Sequence, residues 1–241
     1  MISGKPIAVT RLSQPTLVAV PTMVLRKLFQ RTPLGAMGAF VAGVISGAFW
    51  SLGALYAKGL GFDDKGIAAF LVCVIIGGVM LQYPIGHRSD LHDRRIVLML
   101  VSFIACILAC VTYFIPPAHI LAFFSMALLY GGFSFSLYSI SVAHTQDLIE
   151  ADLVMDATRT LLLFNGTGAA TGPVIAGIVM QLAGSGALML FFSAMLGLLG
   201  IFAVYRRAVT EPIPLEEQEA FMPMTRTSTE VVELDPRIGV D

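Results

Sequence analysis

Six long apolar stretches, none with an Asp, Glu, Lys, Arg or His in its interior, limit what this chain can become. They cover residues 33–57, 66–85, 96–115, 120–143, 160–183 and 186–205. About 20 such residues cross the hydrocarbon core of a bilayer as a helix. They are too long and too glycine-rich for barrel strands, which alternate over about ten residues. The composition agrees, because only 13% of residues are charged and 56% are hydrophobic, whereas a soluble domain carries roughly 25% charged residues. Disorder needs the opposite balance. The stretches predict an all-α integral membrane protein with six transmembrane helices.

Charge sets the orientation. Residues 1–32 contain Lys5, Arg11, Arg26, Lys27 and Arg31 and no acid. Residues 208–241 contain Glu211, Glu216, Glu217, Glu219, Glu230, Glu233, Asp235 and Asp241 against Arg226 and Arg237. Lys and Arg collect in cytoplasmic loops. With the N-terminus cytoplasmic, the inner loops also hold Arg88, Arg94, Arg95, Arg159, Arg206 and Arg207, and the outer side keeps only Lys58 and Lys65. Both termini are therefore expected in the cytoplasm. The chain divides into a basic segment over 1–32, a six-helix domain over 33–207 and an acidic, mobile tail over 208–241. Val24, Leu25, Leu28 and Phe29 share a helical face opposite Arg26, Lys27, Gln30 and Arg31, which suits a short interfacial helix. The apolar run over 16–25 is short, broken by Pro21 and followed by no small-residue cleavage site, so a signal peptide is not indicated. Cys73, Cys106 and Cys110 lie inside apolar runs and read as buried free thiols.

Between the second and third stretches runs Gln82-Tyr83-Pro84-Ile85-Gly86-His87-Arg88-Ser89-Asp90-Leu91-His92-Asp93-Arg94-Arg95. Read by itself, Gly86 offers a tight exit from a helix that Pro84 weakens. Asp90 is an anion suited to the N-terminus of a neighbouring helix. Arg94 and Arg95 are a positive anchor before the third span. The frame Gly86, Asp90, Asp93, Arg94, Arg95 resembles the signature loop G-x-x-x-D-[RK]-x-G-[RK]-[RK] of the major facilitator superfamily. Leu91 and Asp93 stand where that loop usually has a basic residue and a glycine. Asp-Arg-Arg in that slot is similar to a YcaD-like bacterial branch, in its C-terminal six-helix half. Residues 134–144 (SFSLYSISVAH) and 172–177 (GPVIAG) resemble the fourth and fifth helices of that half.

The resemblance implies two inverted three-helix repeats forming half of a twelve-helix transporter. Such a half belongs in the bacterial inner membrane and moves a small solute by alternating access. It implies that the loop over 86–95 gates transport, and that the first, second, fourth and fifth helices line a cavity. Tyr130, Ser134, Tyr138 and Ser141 fall on one face of the fourth helix and Asn165 lies on the fifth. They either line that cavity or make the hydrogen bonds between helices common in membranes. Trp50 suits an aromatic belt near the outer interface or a substrate platform. Gly35, Ala39, Gly43, Gly47 and Ser51 recur every four residues, as do Gly168, Gly172 and Ala176, with Pro173 beside them. Small residues at that spacing permit close helix contact and, in a facilitator, rocking of one half on the other.

The chain alone would turn the Tyr130–Ser141 face and the Gly35–Ser51 groove toward lipid. We therefore expect it to pair, with itself or with an N-terminal six-helix half, and the resemblance implies that Asp90 of one copy would meet the start of the fifth helix near Thr160 of another. A truncated or vestigial fragment without transport of its own is the alternative. An enzyme is disfavoured: Asp90 and Asp93 with His87 and His92 would need a second acidic pair on the following helix, and the third span has no acid. No metal, cofactor or nucleic acid is called for, and no span carries a carboxylate to serve as a proton relay.

Overall fold

The computed structural model describes residues 25–150 and 153–209, and these described residues form a bundle of seven α-helices. They are α1 Leu25–Arg31, α2 Pro33–Gly59, α3 Asp64–Asp90, α4 Arg94–Phe114, α5 Ile120–Gln146, α6 Val154–Ala183 and α7 Ala187–Val209. α2 to α7 are each long and apolar enough to cross a membrane. The tail from 210 onward and the head before Leu25 lie outside the described residues.

Local chemistry places the helix ends. The Asp63 carboxylate accepts from the Gly66 amide at 2.9 Å and caps α3. Asp93 does the same for α4 through the Arg95 amide at 2.9 Å. The α2–α3 turn uses Gly61 at φ +90°, a left-handed conformation that glycine adopts without a Cβ penalty.

Two boundaries differ from the sequence reading. α3 does not leave at Gly86; it runs through Pro84 and Gly86 to Asp90, and Gly86 is buried inside it. An unsatisfied backbone carbonyl at membrane depth costs several kcal/mol, so one proline, which removes one bond, does not end the helix there. α6 begins at Val154 rather than Thr160. Asp156 in its first turn complements the helix dipole. The amides of Thr160 and Leu161 are therefore inside a helix, not at its free end, and they offer no N-terminal site to an Asp90 from another copy.

The packing has an internal twofold logic. α2 packs most extensively on α6, and α3 on α5, with α4 against α7 and α2 against α5. Exchanging α2, α3 and α4 for α5, α6 and α7 turns the first of these pairs into the second and returns the other two to themselves. This is the signature of two inverted three-helix repeats. The two large crossings even use the same device. A Cβ at Gly43 would land on the Asn165 carbonyl, and one at Gly168 on the Phe40 carbonyl. A Cβ at Gly77 would land on the Leu128 carbonyl, and one at Gly131 on the Val74 carbonyl. Backbone meets backbone at both, as small residues allow in membranes. At the far end from Gly86, Phe49, Tyr56, Phe62, Phe70 and Phe123 form one aromatic cluster with centroids 5.2–6.5 Å apart along its contacts.

Candidate functional site

The charged frame lies where α3 ends, α4 begins and α5 ends. Arg94 is the first residue of α4, and its side chain is 1% exposed. A buried guanidinium is tolerable only when its charge is matched at close range. Its Nη1 donates to Asp147 Oδ1 at 2.7 Å and its Nη2 to Asp90 Oδ1 at 2.9 Å. One side chain thus ties the last residue of α3 to the residue that follows α5. The Asp147 side chain is 1% exposed and that of Asp90 23%. Burial pushes the Asp147 carboxyl up to about 6 against the downward pull of Arg94.

Arg95 turns the other way. Its Nε and Nη2 donate to Asp93 at 3.0 and 2.7 Å, so the residue that caps α4 also holds the side chain of the second residue of that helix. Partial burial alone would raise the Asp93 carboxyl, but the Arg95 hydrogen bonds and charge hold it below the usual carboxylate range. His144, buried in the last turn of α5, lies within electrostatic reach of Arg95, Asp93, Arg94 and Arg206. The sequence makes Arg94 and Arg95 a positive anchor before the third span; the structure buries both. Asp147 and His144 were not singled out. Both stood in what read as a loop, and the available signal was an acid one turn beyond the fourth span, level with Asp90.

The remaining candidates lie deeper. Tyr130 is buried and its ring stacks on Phe192 of α7, 5.8 Å between centroids. Ser134 and Ser141 donate to the Gly131 and Leu137 carbonyls of their own helix at 3.3 and 2.7 Å. The Ser141 and Thr145 hydroxyls fill the space that Gly38 and Gly35 of α2 leave open. Tyr138 is buried too. Asn165 Nδ2 donates to the Ala39 carbonyl at 3.0 Å, a bond between α6 and α2. Gly43, Gly47, Gly168 and Gly172 lie in the α2–α6 crossing, and Pro173 follows inside α6. So neither the α5 face nor the α2 groove is left for lipid, as the unpaired chain was expected to leave them; α2, α6 and α7 use them within the chain. Trp50 is 58% exposed, edge-on to Phe49.

Among the described residues no group of three or more His, Cys, Asp and Glu is placed to hold a metal. Asp90 and Asp93 each face an arginine, so the two do not stand as a free carboxylate pair. The arrangement is a clasp. It can hold helix ends together or release them.

The Major Facilitator Superfamily profile matches residues 35–234, so the match takes in α2 to α7 with the clasp between them. The chain belongs to the major facilitator superfamily. It is similar to an uncharacterised MFS-type transporter of Enterobacter sp. (strain 638), 27% identical over 182 residues, covering 76% of this chain and 46% of that protein. It is also similar to the uncharacterised MFS-type transporter YcaD of Escherichia fergusonii, 27% identical over 178 residues, covering 73% of this chain and 45% of the relative. A third, from Yersinia enterocolitica, is 27% identical over 152 residues, covering 61% of this chain and 37% of its own. The chain spans about half the length, or less, of the curated relatives it matches. No solved structure matches it significantly. As a facilitator it is a multi-pass membrane protein of a transporter family, not of an enzyme family.

Proposed function

We propose that this facilitator chain is one half of a secondary transporter that moves a small solute by alternating access, with both termini in the cytoplasm. The supporting observation is the uneven covering of its spans. α2 is the most buried of the six, whereas α3 and α6 are the least covered by the chain's own helices. On α6 the open face presents Leu163, Gly166, Thr167, Ala170, Thr171 and Val174. A Cβ at Gly166 would meet nothing within 4 Å. The Thr167 and Thr171 hydroxyls bond back to the Leu163 and Thr167 carbonyls at 2.7 and 2.9 Å, so the surface is smooth and internally satisfied. Such a surface accepts a second helix closely. A second six-helix body, either another copy or an N-terminal half, docks against α3 and α6 and completes the cavity. The clasp of Asp90, Arg94 and Asp147 keeps the ends of α3, α4 and α5 together as one rigid end during rocking.

Two experiments test this. Cysteines placed by Ala170→Cys on two differently tagged copies should crosslink in native membranes, or each should crosslink to a co-expressed N-terminal half. In proteoliposomes holding the paired form, labelling at His87→Cys and at Trp50→Cys should vary in opposite directions as a solute gradient is imposed. A monodisperse monomer that labels identically under every gradient tried would refute the proposal and leave a membrane fragment without transport of its own.

A further inference from the structure

The end of the bundle opposite the clasp holds a cavity of about 260 Å³ where three helix ends meet. Its walls are Tyr56 and Leu60 from the end of α2, residues 112–117 from the end of α4, and Gly186 just before α7. The three ends touch. A Cβ at Gly59 would land on the Ser185 side chain, and one at Gly186 would meet the Tyr113 ring at 3.5 Å. Neither α3 nor α6 supplies a wall, so the cavity is complete in one chain and does not depend on a second half.

The cavity is rich in hydrogen-bond acceptors. The last carbonyls of a helix find no amide inside it and must be met from beyond its end. For Thr112 and Tyr113 the amides one turn on belong to residues 116 and 117, and both are prolines, which have none. Among the described residues no backbone amide beyond α4 reaches the Thr112, Tyr113 or Phe114 carbonyl. The Ile115 amide donates to Val111 at 3.2 Å, and the chain then leaves extended. Tyr56 adds a hydroxyl. It is 1% exposed, and its ring packs on Phe70 and Phe123 with centroids 5.4 and 6.5 Å apart, which leaves the hydroxyl end for the cavity it lines. Among the described residues that hydroxyl has no hydrogen-bond partner.

The sign of the guest follows. None of the lining residues is charged. α2 and α4 both bring C-terminal ends, the negative pole of a helix, and α4 has no basic residue in its last turn. Lys58, in the last turn of α2, is exposed and does not line the cavity. α7 begins here, but the Ala187, Leu188 and Met189 amides already donate to the Gly184, Ser185 and Gly186 carbonyls, so they offer an anion nothing. The Tyr113 and Phe114 rings, edge to face at 5.1 Å, attract a cation. Pockets for drug-sized molecules measure about 300–1,000 Å³, so the guest is smaller than those.

We propose that this cavity binds a small organic ammonium ion. Its N–H groups donate to the open carbonyls at the end of α4 and to the Tyr56 oxygen, and its charge lies against Tyr113 and Phe114.

The test is calorimetric titration of the full chain in phosphatidylcholine nanodiscs at about pH 7, with empty nanodiscs as background. Benzylammonium is the probe and benzyl alcohol its uncharged counterpart. Benzylammonium should bind saturably at one site per chain, and benzyl alcohol roughly tenfold or more weaker. Tyr56→Phe should weaken benzylammonium by roughly tenfold or more, the loss expected when a hydrogen bond to a charged group is removed. Its melting temperature should stay or rise, because the hydroxyl has no partner to lose. Pro116→Ala with Pro117→Ala restores the two amides and should weaken binding as well; if that variant loses its melting transition, Tyr56→Phe decides alone. Absence of saturable binding, equal binding of the two probes, or a folded variant that binds as the original chain does overturns the proposal. So does a lower melting temperature for Tyr56→Phe, which would give the hydroxyl a structural partner instead.

Discussion

Replacing Arg94 by methionine should uncover the cost that the clasp hides. The change keeps an unbranched apolar stem in place and removes the charge that Asp147 and Asp90 share at 2.7 and 2.9 Å. Asp147, with its side chain 1% exposed, is left as a buried carboxylate without its cation. Removing one partner of such a pair costs about 3–5 kcal/mol. Asp147→Leu should cost less, about 1–3 kcal/mol, because Arg94 retains Asp90. If the two side chains act together, the double change should be milder than the sum by about 0.5–3 kcal/mol. The pH dependence has a fixed sign. The Asp147 carboxyl sits at about 6, above its ordinary 3.8, and Arg94 is what pulls it down. Without Arg94 it rises further. A carboxyl raised in the folded state costs stability at pH above its folded value and ceases to cost as the pH falls toward its ordinary one. Arg94→Met should therefore be weakest at about pH 8 and recover toward pH 5. Titration with SDS in mixed micelles, followed by circular dichroism at both pH values, measures this. Equal losses at both pH values, or simple additivity of the two single changes, would refute the argument.

Three further outcomes are expected. Gly43→Val should prevent close packing of α2 on α6 and cost at least about 1–3 kcal/mol, while Gly177→Ala, whose Cβ meets nothing within 4 Å, should be neutral or stabilising by up to ~1 kcal/mol; thermal melting of the purified pair compares them. Asn165→Leu removes the α6–α2 bond to Ala39 and should cost about 0.6–1.7 kcal/mol, seen in the same SDS titration. Labelling of intact cells with a membrane-impermeant maleimide should reach Asp64→Cys directly and His92→Cys only after permeabilisation; the reverse would invert the assigned orientation.

The spans were legible because a bilayer asks one thing of a segment, and the absence of charge over about 20 residues answers it. The ends were less so. Pro84 and Gly86 are ordinary helix-ending signals in water, but backbone carbonyls near a membrane keep a helix going past them to Asp90. The clasp was half legible: Gly86, Asp90, Asp93, Arg94 and Arg95 stand in one recognisable frame, yet nothing in that frame says that Arg94 is buried. Burial comes from Asp147, 53 residues away, and a pairing at that distance leaves no periodic trace. The α5 hydroxyls show the opposite problem. Tyr130, Ser134, Tyr138 and Ser141 have the right spacing for a cavity wall, but a close helix contact accepts small hydroxyls such as Ser134 and Ser141, which bond back to their own helix. Only the position of α2 and α7 tells which neighbour they meet.

The α2–α6 crossing has a consequence for how the protein is made. These two helices are the least apolar of the six spans and each keeps glycines open until the other arrives. α3, α4 and α5 are all synthesised between them. At 5–20 residues per second, α2 waits roughly 5–20 s in the membrane before α6 can cover Gly43 and Gly47. Its companions before α6 are α3 and then α5, whose Ser141 and Thr145 hydroxyls fill the α2 surface at Gly38 and Gly35. A ribosome that stalls before α6 would therefore leave α2 held by α3 and α5 but with Gly43 and Gly47 facing lipid.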